Sequence, residues 1–207
     1  MNDPALTRKE ATWLACKPKT CCYTAFVVPT GRDIWRIART LDVPPVTFLV
    51  YFQAPAPRRD AFQLAPAGPY FRIALAKQAT RRKKSPPPCI FLLRTRSGYH
   101  RCGLGADRPQ VCHTFPADMV NGILYIQPES GCTCRRWTLA DVEIAEETAA
   151  VRERQRDSEE YCGVVARWNA TLATDPAPRA FTDYCDYVLA AYDALAPAAT
   201  GAPDGRE

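Results

Sequence analysis

Ten cysteines in a chain of 207 residues constrain this fold more than any other feature, and three of them define its organising stretch. That stretch is Cys89 to Pro116, CIFLLRTRSGYHRCGLGADRPQVCHTFP, with thiols at Cys89, Cys102 and Cys112. Ile90 to Arg96 reads as a buried strand, and Ser97-Gly98 between two such runs is a hairpin signal. The thiols then sit at the edge of a hairpin and on the loop after it. Arg108-Pro109 stiffens that loop and Pro116 closes it, which suits a site held in place before a metal arrives.

Where the chain works decides what so many thiols are for. Its start, MNDPALTRKEATWLACK, has no apolar core followed by a small-residue cleavage site, so no secretory signal is expected. No run approaches the roughly 18 to 20 apolar residues of a membrane span. A cytoplasmic location is expected, and in a reducing compartment clustered cysteines are metal ligands or redox groups more often than disulfides. Cys162 and Cys185 lie in helical patterns and fit the blander role of small buried apolar side chains. The net charge of +5 owes much to Arg81-Arg82-Lys83-Lys84. With no aromatics interleaved, that run reads as a solvated loop rather than a nucleic-acid surface.

Along the chain, residues 1–12 read as a polar lead-in, and Pro18 places Cys16, Cys21 and Cys22 on a turn. Tyr23 to Val28 reads as a strand. Thr30 caps a helix with Asp33 three residues on, and Ile34, Ile37, Ala38 and Leu41 form its core face. A second helix is expected over Val46–Phe52, an irregular connector over Ala54–Pro69 and a strand over Tyr70–Leu75. Asn121-Gly122 signals a turn before a strand at Ile123–Ile126. Thr138 is expected to cap a long helix running to about Leu172, and a last helix covers Phe181–Leu195. The fold expected is α+β: a small cysteine-rich core at 13–136 with short strands and helices, a helical extension at 137–195 and a disordered tail at 196–207.

Eight cysteines fall on loops: Cys16, Cys21, Cys22, Cys89, Cys102, Cys112, Cys132 and Cys134. None forms the C-x2-C knuckle usual for structural zinc. Adjacent thiols such as Cys21-Cys22 suit a larger cluster, or leave one thiol out, better than they suit one small ion. An iron–sulfur cluster is therefore expected, most naturally [4Fe–4S], with zinc as the alternative. His113 beside Cys112 is a lesser ligand candidate and His100 a weaker one. Arg108 reads as a cation that offsets thiolate charge, and Asp33 as either its carboxylate partner or a helix-start residue.

The cysteine segments resemble those of the CxxCxxCC, or YkgJ-type, family, described as a zinc- or iron-chelating domain. Cys21-Cys22 is followed by an acidic residue opening a helix, Asp33-Ile34-Trp35-Arg36. Cys89-Ile90-Phe91-Leu92 is similar to the family's "C-x-F-L" segment. Cys102, Arg108-Pro109, Cys112 and Phe115-Pro116 are similar to its "C-x9-C" segment with the RP dipeptide and closing F/Y-P. The family's first two cysteines would fall at Ala15 and Pro18, so this chain departs there. The resemblance implies a metal or cluster site. Through the family's flagellin lysine N-methylases it also implies S-adenosylmethionine-dependent modification of a protein substrate. A third possibility is a metal-stapled protein without catalysis that binds a protein partner along the charged helix after Thr138.

Overall fold

The computed structural model describes residues 7–16, 21–79, 86–96, 98–127, 132 and 136–196. Its class is α+β: six α-helices and three separate two-stranded antiparallel sheets among these residues. The basic run at 81–84, Cys134 and the tail expected to be disordered lie outside them, except for Ala196.

The main core forms between helices α3 (Gly31–Leu41), α5 (Ile144–Thr174) and α6 (Phe181–Leu195) and the β1–β2 sheet. Helix α3 starts as its sequence dictates. The Thr30 hydroxyl accepts the Asp33 N–H while the Asp33 carboxylate accepts the Thr30 N–H, a reciprocal capping box. Ile34, Ile37 and Ala38 are buried, whereas Leu41, expected in the core, lies 41% exposed at the helix end. Helix α6 packs so close to α3 that a Cβ on Gly31 would stand 2.2 Å from the Tyr192 ring, which reserves that position for glycine. Phe62 stacks on Tyr184 with ring centroids 3.8 Å apart, and the Tyr161 and Tyr184 hydroxyls share a hydrogen bond of 2.6 Å. Two buried phenols are thereby satisfied by one contact.

The helix expected over Val46–Phe52 is not there. A 3-10 turn at Pro45–Thr47 leads into strand β1 (Leu49–Gln53), which pairs with β2 (Phe71–Leu75) in the register Leu49↔Leu75. The segment is rich in β-branched and aromatic residues, and pairing with β2 supplies the partner a lone apolar run cannot reveal. The strand expected at Tyr23–Val28 is instead one helical turn, α2 (Cys21–Thr24), followed by extended chain whose Val27 carbonyl accepts the Leu75 N–H at 2.8 Å. The polar lead-in holds a short capped helix, α1 (Arg8–Ala15). Thr138 caps only a 3-10 turn at Leu139–Asp141, and the long helix starts at Ile144.

Two further hairpins complete the fold. Strands β3 (Leu92–Arg94) and β4 (His100–Cys102) pair across the expected turn, with Gly98 at φ 81°. Strands β5 (Ala117–Val120) and β6 (Ile123–Ile126) pair across Asn121-Gly122. They cover a second small cluster of Ala117, Met119, Leu124, Val142 and Val151. Hydrophobic packing is continuous across the boundary expected near residue 136. Cys89 and Leu104 belong to the same buried cluster as Tyr161, Val164, Tyr184 and Val188. Short helix α4 (Gln110–Thr114) lies between the β3–β4 and β5–β6 hairpins in sequence and packs on α5.

Candidate metal centre

Five of the expected ligands come together. Cys21, Cys22, Cys89, Cys102 and Cys112 line one cavity of about 100 Å³. Four local devices deliver them. Cys21 and Cys22 form the start of α2. Cys89 is clipped to that turn by its N–H, which donates to the Cys22 carbonyl at 2.7 Å. Cys102 ends β4 opposite Leu92. Cys112 is the third residue of α4.

Two side chains that sequence reading passed over hold this frame. The Lys77 ammonium caps the end of α2 through the carbonyls of Cys22, Tyr23 and Ala25 at 3.3, 3.2 and 2.7 Å. The Gln78 amide donates to the carbonyls of Cys89, Ile90 and Leu92 at 3.1, 3.3 and 2.7 Å. Both act on backbone, which leaves no residue-type signature near the cysteines to betray them.

The thiols sit in an environment that disfavours their charged form. Burial pushes Cys89 and Cys102 above the usual thiol range, against backbone N–H donors that favour the thiolate: Phe91 for Cys89, Leu104 and Gly105 for Cys102. Cys112 is raised by burial and then by Cys102, Cys89 and Cys21. Cys22 is raised first by its hydrogen bond with Cys21, then by burial. Soft donors crowded in an apolar cavity, each disfavouring its neighbour's charge, fit a thiophilic metal or an iron–sulfur core that neutralises them together. Hydrogen bonds from backbone N–H groups to cysteine sulfur tune such centres.

Asp33 takes the helix-start reading, and its cation is Arg36 rather than the expected Arg108. Asp33 is fully buried and accepts the Thr30 N–H at 3.0 Å, the Gln110 N–H at 3.0 Å and the Arg36 guanidinium at 2.7 Å. Arg36 also donates to the Arg108 carbonyl at 3.1 Å. The carboxylate thus caps α3 and pins residues 108–110, the entry to α4 and Cys112. Burial raises the Asp33 carboxyl, opposed by these hydrogen bonds and the Arg36 charge. Arg108 lines the cavity, its guanidinium 4.5 Å from the centre of the Trp13 ring. Its buried Nε has no hydrogen-bond partner among the described residues. Trp13 closes the same cavity from α1, a helix the sequence reading did not anticipate.

The other candidates lie elsewhere. His113 does not line the cavity; its Nε2 stands 3.0 Å from the Ala106 carbonyl oxygen. Burial, helped by Arg108, pushes its pKa down to about 4. His100 lines a separate groove beside Tyr23. Cys16 caps the end of α1 and Cys132 accepts the Trp137 indole N–H at 3.4 Å, both away from the cavity lining. Cys185 is buried in the main core and Cys162 is half-buried on α5.

Among the described residues no group of three or more His, Cys, Asp or Glu side chains stands ready to hold a metal ion. No helix among them is long and apolar enough to cross a membrane. No family model, curated protein or solved structure matches the chain.

Proposed function

We propose that this chain is a metal protein that holds an iron–sulfur cluster, [4Fe–4S], on cysteine thiolates in the cavity between α2, β3–β4 and α4. The observation that carries the reading is that five thiols, drawn from positions 21 to 112, line one cavity. A single zinc with bonds of about 2.3 Å needs sulfurs roughly 3.8 Å apart. The cavity, at about 100 Å³, exceeds several-fold the roughly 10 to 15 Å³ that one water-sized sphere needs. A multi-atom inorganic core suits that space better than one ion. When bound, the cluster would supply electron transfer or a charged structural staple. The chain's own residues place the thiols, exclude water with Trp13, Leu104 and Phe115, and set Arg108 beside the sulfur charge.

The resemblance to the YkgJ-type family supports the same site. Retention of thiols as ligands fits a chain that works in the reducing cytoplasm. Anaerobic preparation with cluster assembly intact, followed by iron, sulfide and zinc analysis and an electronic spectrum, tests the reading. Stoichiometric iron and sulfide with a charge-transfer band near the visible is the expected result. Stoichiometric zinc in place of iron would replace the cluster with its alternative, and a colourless chain without metal would sink both. S-adenosylmethionine binding, read by calorimetry on the loaded chain, separates a methylase-like enzyme from a protein whose centre only staples a partner surface.

A further inference from the structure

One stretch of the chain is strongly one-signed. Of the 27 Lys and Arg, nine fall between Asp60 and Asp107, where there is no Asp or Glu, and the remaining 18 are outnumbered by 22 Asp and Glu. Four of the nine form the run at 81–84, outside the described residues. Arg72 pairs with Asp60 at 2.6 Å, and Lys77 holds the carbonyls of α2. The other three, Arg94, Arg96 and Arg101, all lie on the β3–β4 hairpin. Among the described residues none of them forms an ion pair with a carboxylate. Arg94 and Arg96 are exposed. Cations on one surface with no acid to neutralise them attract a polyanion.

Rings sit among these cations. Arg94 and His100 are cross-strand partners, so their side chains share a face of the hairpin. Both line a groove of about 420 Å³ together with Tyr23, Gln78 and Gly98. The Tyr23 and His100 rings stand 5.8 Å apart, tilted by 52°, and both are half-buried, with ring surface left open to solvent. The Arg101 guanidinium lies 5.1 Å from the centre of the Tyr99 ring, and its Nη1 donates to the His100 carbonyl at 3.0 Å. The run at 81–84 has no aromatics beside it in sequence; the hairpin interleaves Arg94, Arg96, Tyr99, His100 and Arg101. A guanidinium fork fits a phosphate, and an aromatic face stacks a base of any identity. An acidic peptide would use the charges and leave the rings without a role. A duplex keeps its bases stacked on one another, whereas a single strand can splay them onto side-chain rings.

We propose that the β3–β4 hairpin and the groove beside it bind single-stranded nucleic acid, with Arg94 and Arg96 on phosphates and the Tyr23 and His100 rings against bases. None of these four is a proposed metal ligand, so the surface stands or falls apart from the cluster reading. Leu92 lines both the groove and the thiol cavity, which places the bound strand next to the candidate centre.

The test titrates the full chain, prepared anaerobically, against a fluorescein-labelled oligouridylate of about 12 nucleotides, within the span of single-strand sites. Anisotropy is read between roughly 50 and 200 mM salt. Saturable binding that weakens with salt is expected. Arg94→Gln with Arg96→Gln should weaken it and flatten the plot of log affinity against log salt by roughly 1.4, from two phosphate contacts at about 0.7 each. Arg152→Gln with Arg156→Gln, the same charge change on exposed positions of α5, should leave affinity unchanged. His100→Ala should weaken binding at least about fivefold, the lower end of one base–ring stack, with little change in salt slope. His100→Leu should do the same, and His100→Phe, which keeps a ring, should retain affinity. Absence of saturable binding by wild type at the lowest salt overturns the proposal. So do equal losses in the two arginine pairs, or unchanged affinity in both His100→Ala and His100→Leu. Polyglutamate of matched charge bound as tightly as the oligonucleotide would make the surface one for acidic peptides, and a duplex bound as tightly would remove the role of the rings; either result overturns the single-strand assignment.

Discussion

At the scale of single residues, the cavity separates thiols that a count of cysteines lumps together. Cys89 and Cys112 line it, whereas Cys162 and Cys185 sit on α5 and α6. Serine at 89 or 112 replaces a soft ligand by a poor one, so metal content should fall to a small fraction of wild type. Serine at 162 or 185 should leave it unchanged, although Cys185→Ser buries a hydroxyl and costs about 1–2 kcal/mol of stability. Metal analysis on the four variants checks this, and equal losses would contradict the ligand assignment. Asp33 is the residue on which the frame most depends. Asp33→Ala removes a cap worth about 1 kcal/mol, takes the acceptor from the part-buried Gln110 N–H and leaves the Arg36 guanidinium with the Arg108 carbonyl and the more distant Asp107 carboxylate. The combined loss should reach about 3 kcal/mol, read as a lower denaturation midpoint.

Asp157 provides a test of sign. Its carboxyl is raised above its ordinary value by burial, which outweighs the Arg32 charge 3.3 Å away. A folded-state pKa above the unfolded one gives stability that is complete below about pH 3.9 and lost as pH rises through the folded value. Asp157→Asn should therefore flatten the fall in melting temperature between acid and neutral pH. Parallel wild-type and variant profiles across that window would show that Asp157 contributes no such slope.

At the scale of elements, the sequence was legible wherever a local device decided the outcome. The Thr30–Asp33 capping box, the Gly98 and Asn121-Gly122 turns and the apolar stripe of Phe181–Leu195 are all read from neighbours within a few residues, and all are present. Elements decided by distant partners were misread. Val46–Phe52 looked helical because its apolar run has no period, and only the pairing with Phe71–Leu75, some 20 residues on, makes it a strand. Tyr23 and Thr24 looked extended because the helical turn they complete is secured from outside, by Lys77 on the carbonyls of Cys22, Tyr23 and Ala25. The site followed the same rule. Its thiols were named from residue type, but Lys77 acts on carbonyls 52–55 residues away, Gln78 on carbonyls 11–14 residues away and Trp13 against Arg108, and none left a mark beside the cysteines. Helix packing is testable at this scale through Gly31. A methyl there would overlap the Tyr192 ring, so Gly31→Ala should cost about 1–3 kcal/mol. The loss should shrink in a Tyr192→Leu background, where the two substitutions are non-additive. Additive losses would place the cause elsewhere than the α3–α6 contact.

At the scale of the whole molecule, the candidate centre and the main core meet at Cys89 and Leu104, which line the cavity and belong to the large buried cluster. The far side of that cluster is helical, built on Ile37, Val164, Val165 and Val188 with exposures of 0–1%. Those helices bury their apolar faces without any metal. The thiol-bearing side has less to hold it: α2 is four residues long, β3 and β4 three each and α4 five, too short to be stable alone. Binding that occurs only in the folded state stabilises it by mass action, and a metal held at the proposed centre would stabilise the weakly held side. Removing the metal should therefore loosen the molecule unevenly. Hydrogen exchange on loaded and stripped chain should show protection lost across residues 89–94, 100–102 and 110–114, while amides of 34–38, 161–168 and 184–192 keep theirs. Uniform loss across both sides would mean that the centre and the helical core are one cooperative unit. Unchanged exchange throughout would mean that the thiol segments hold their places without metal.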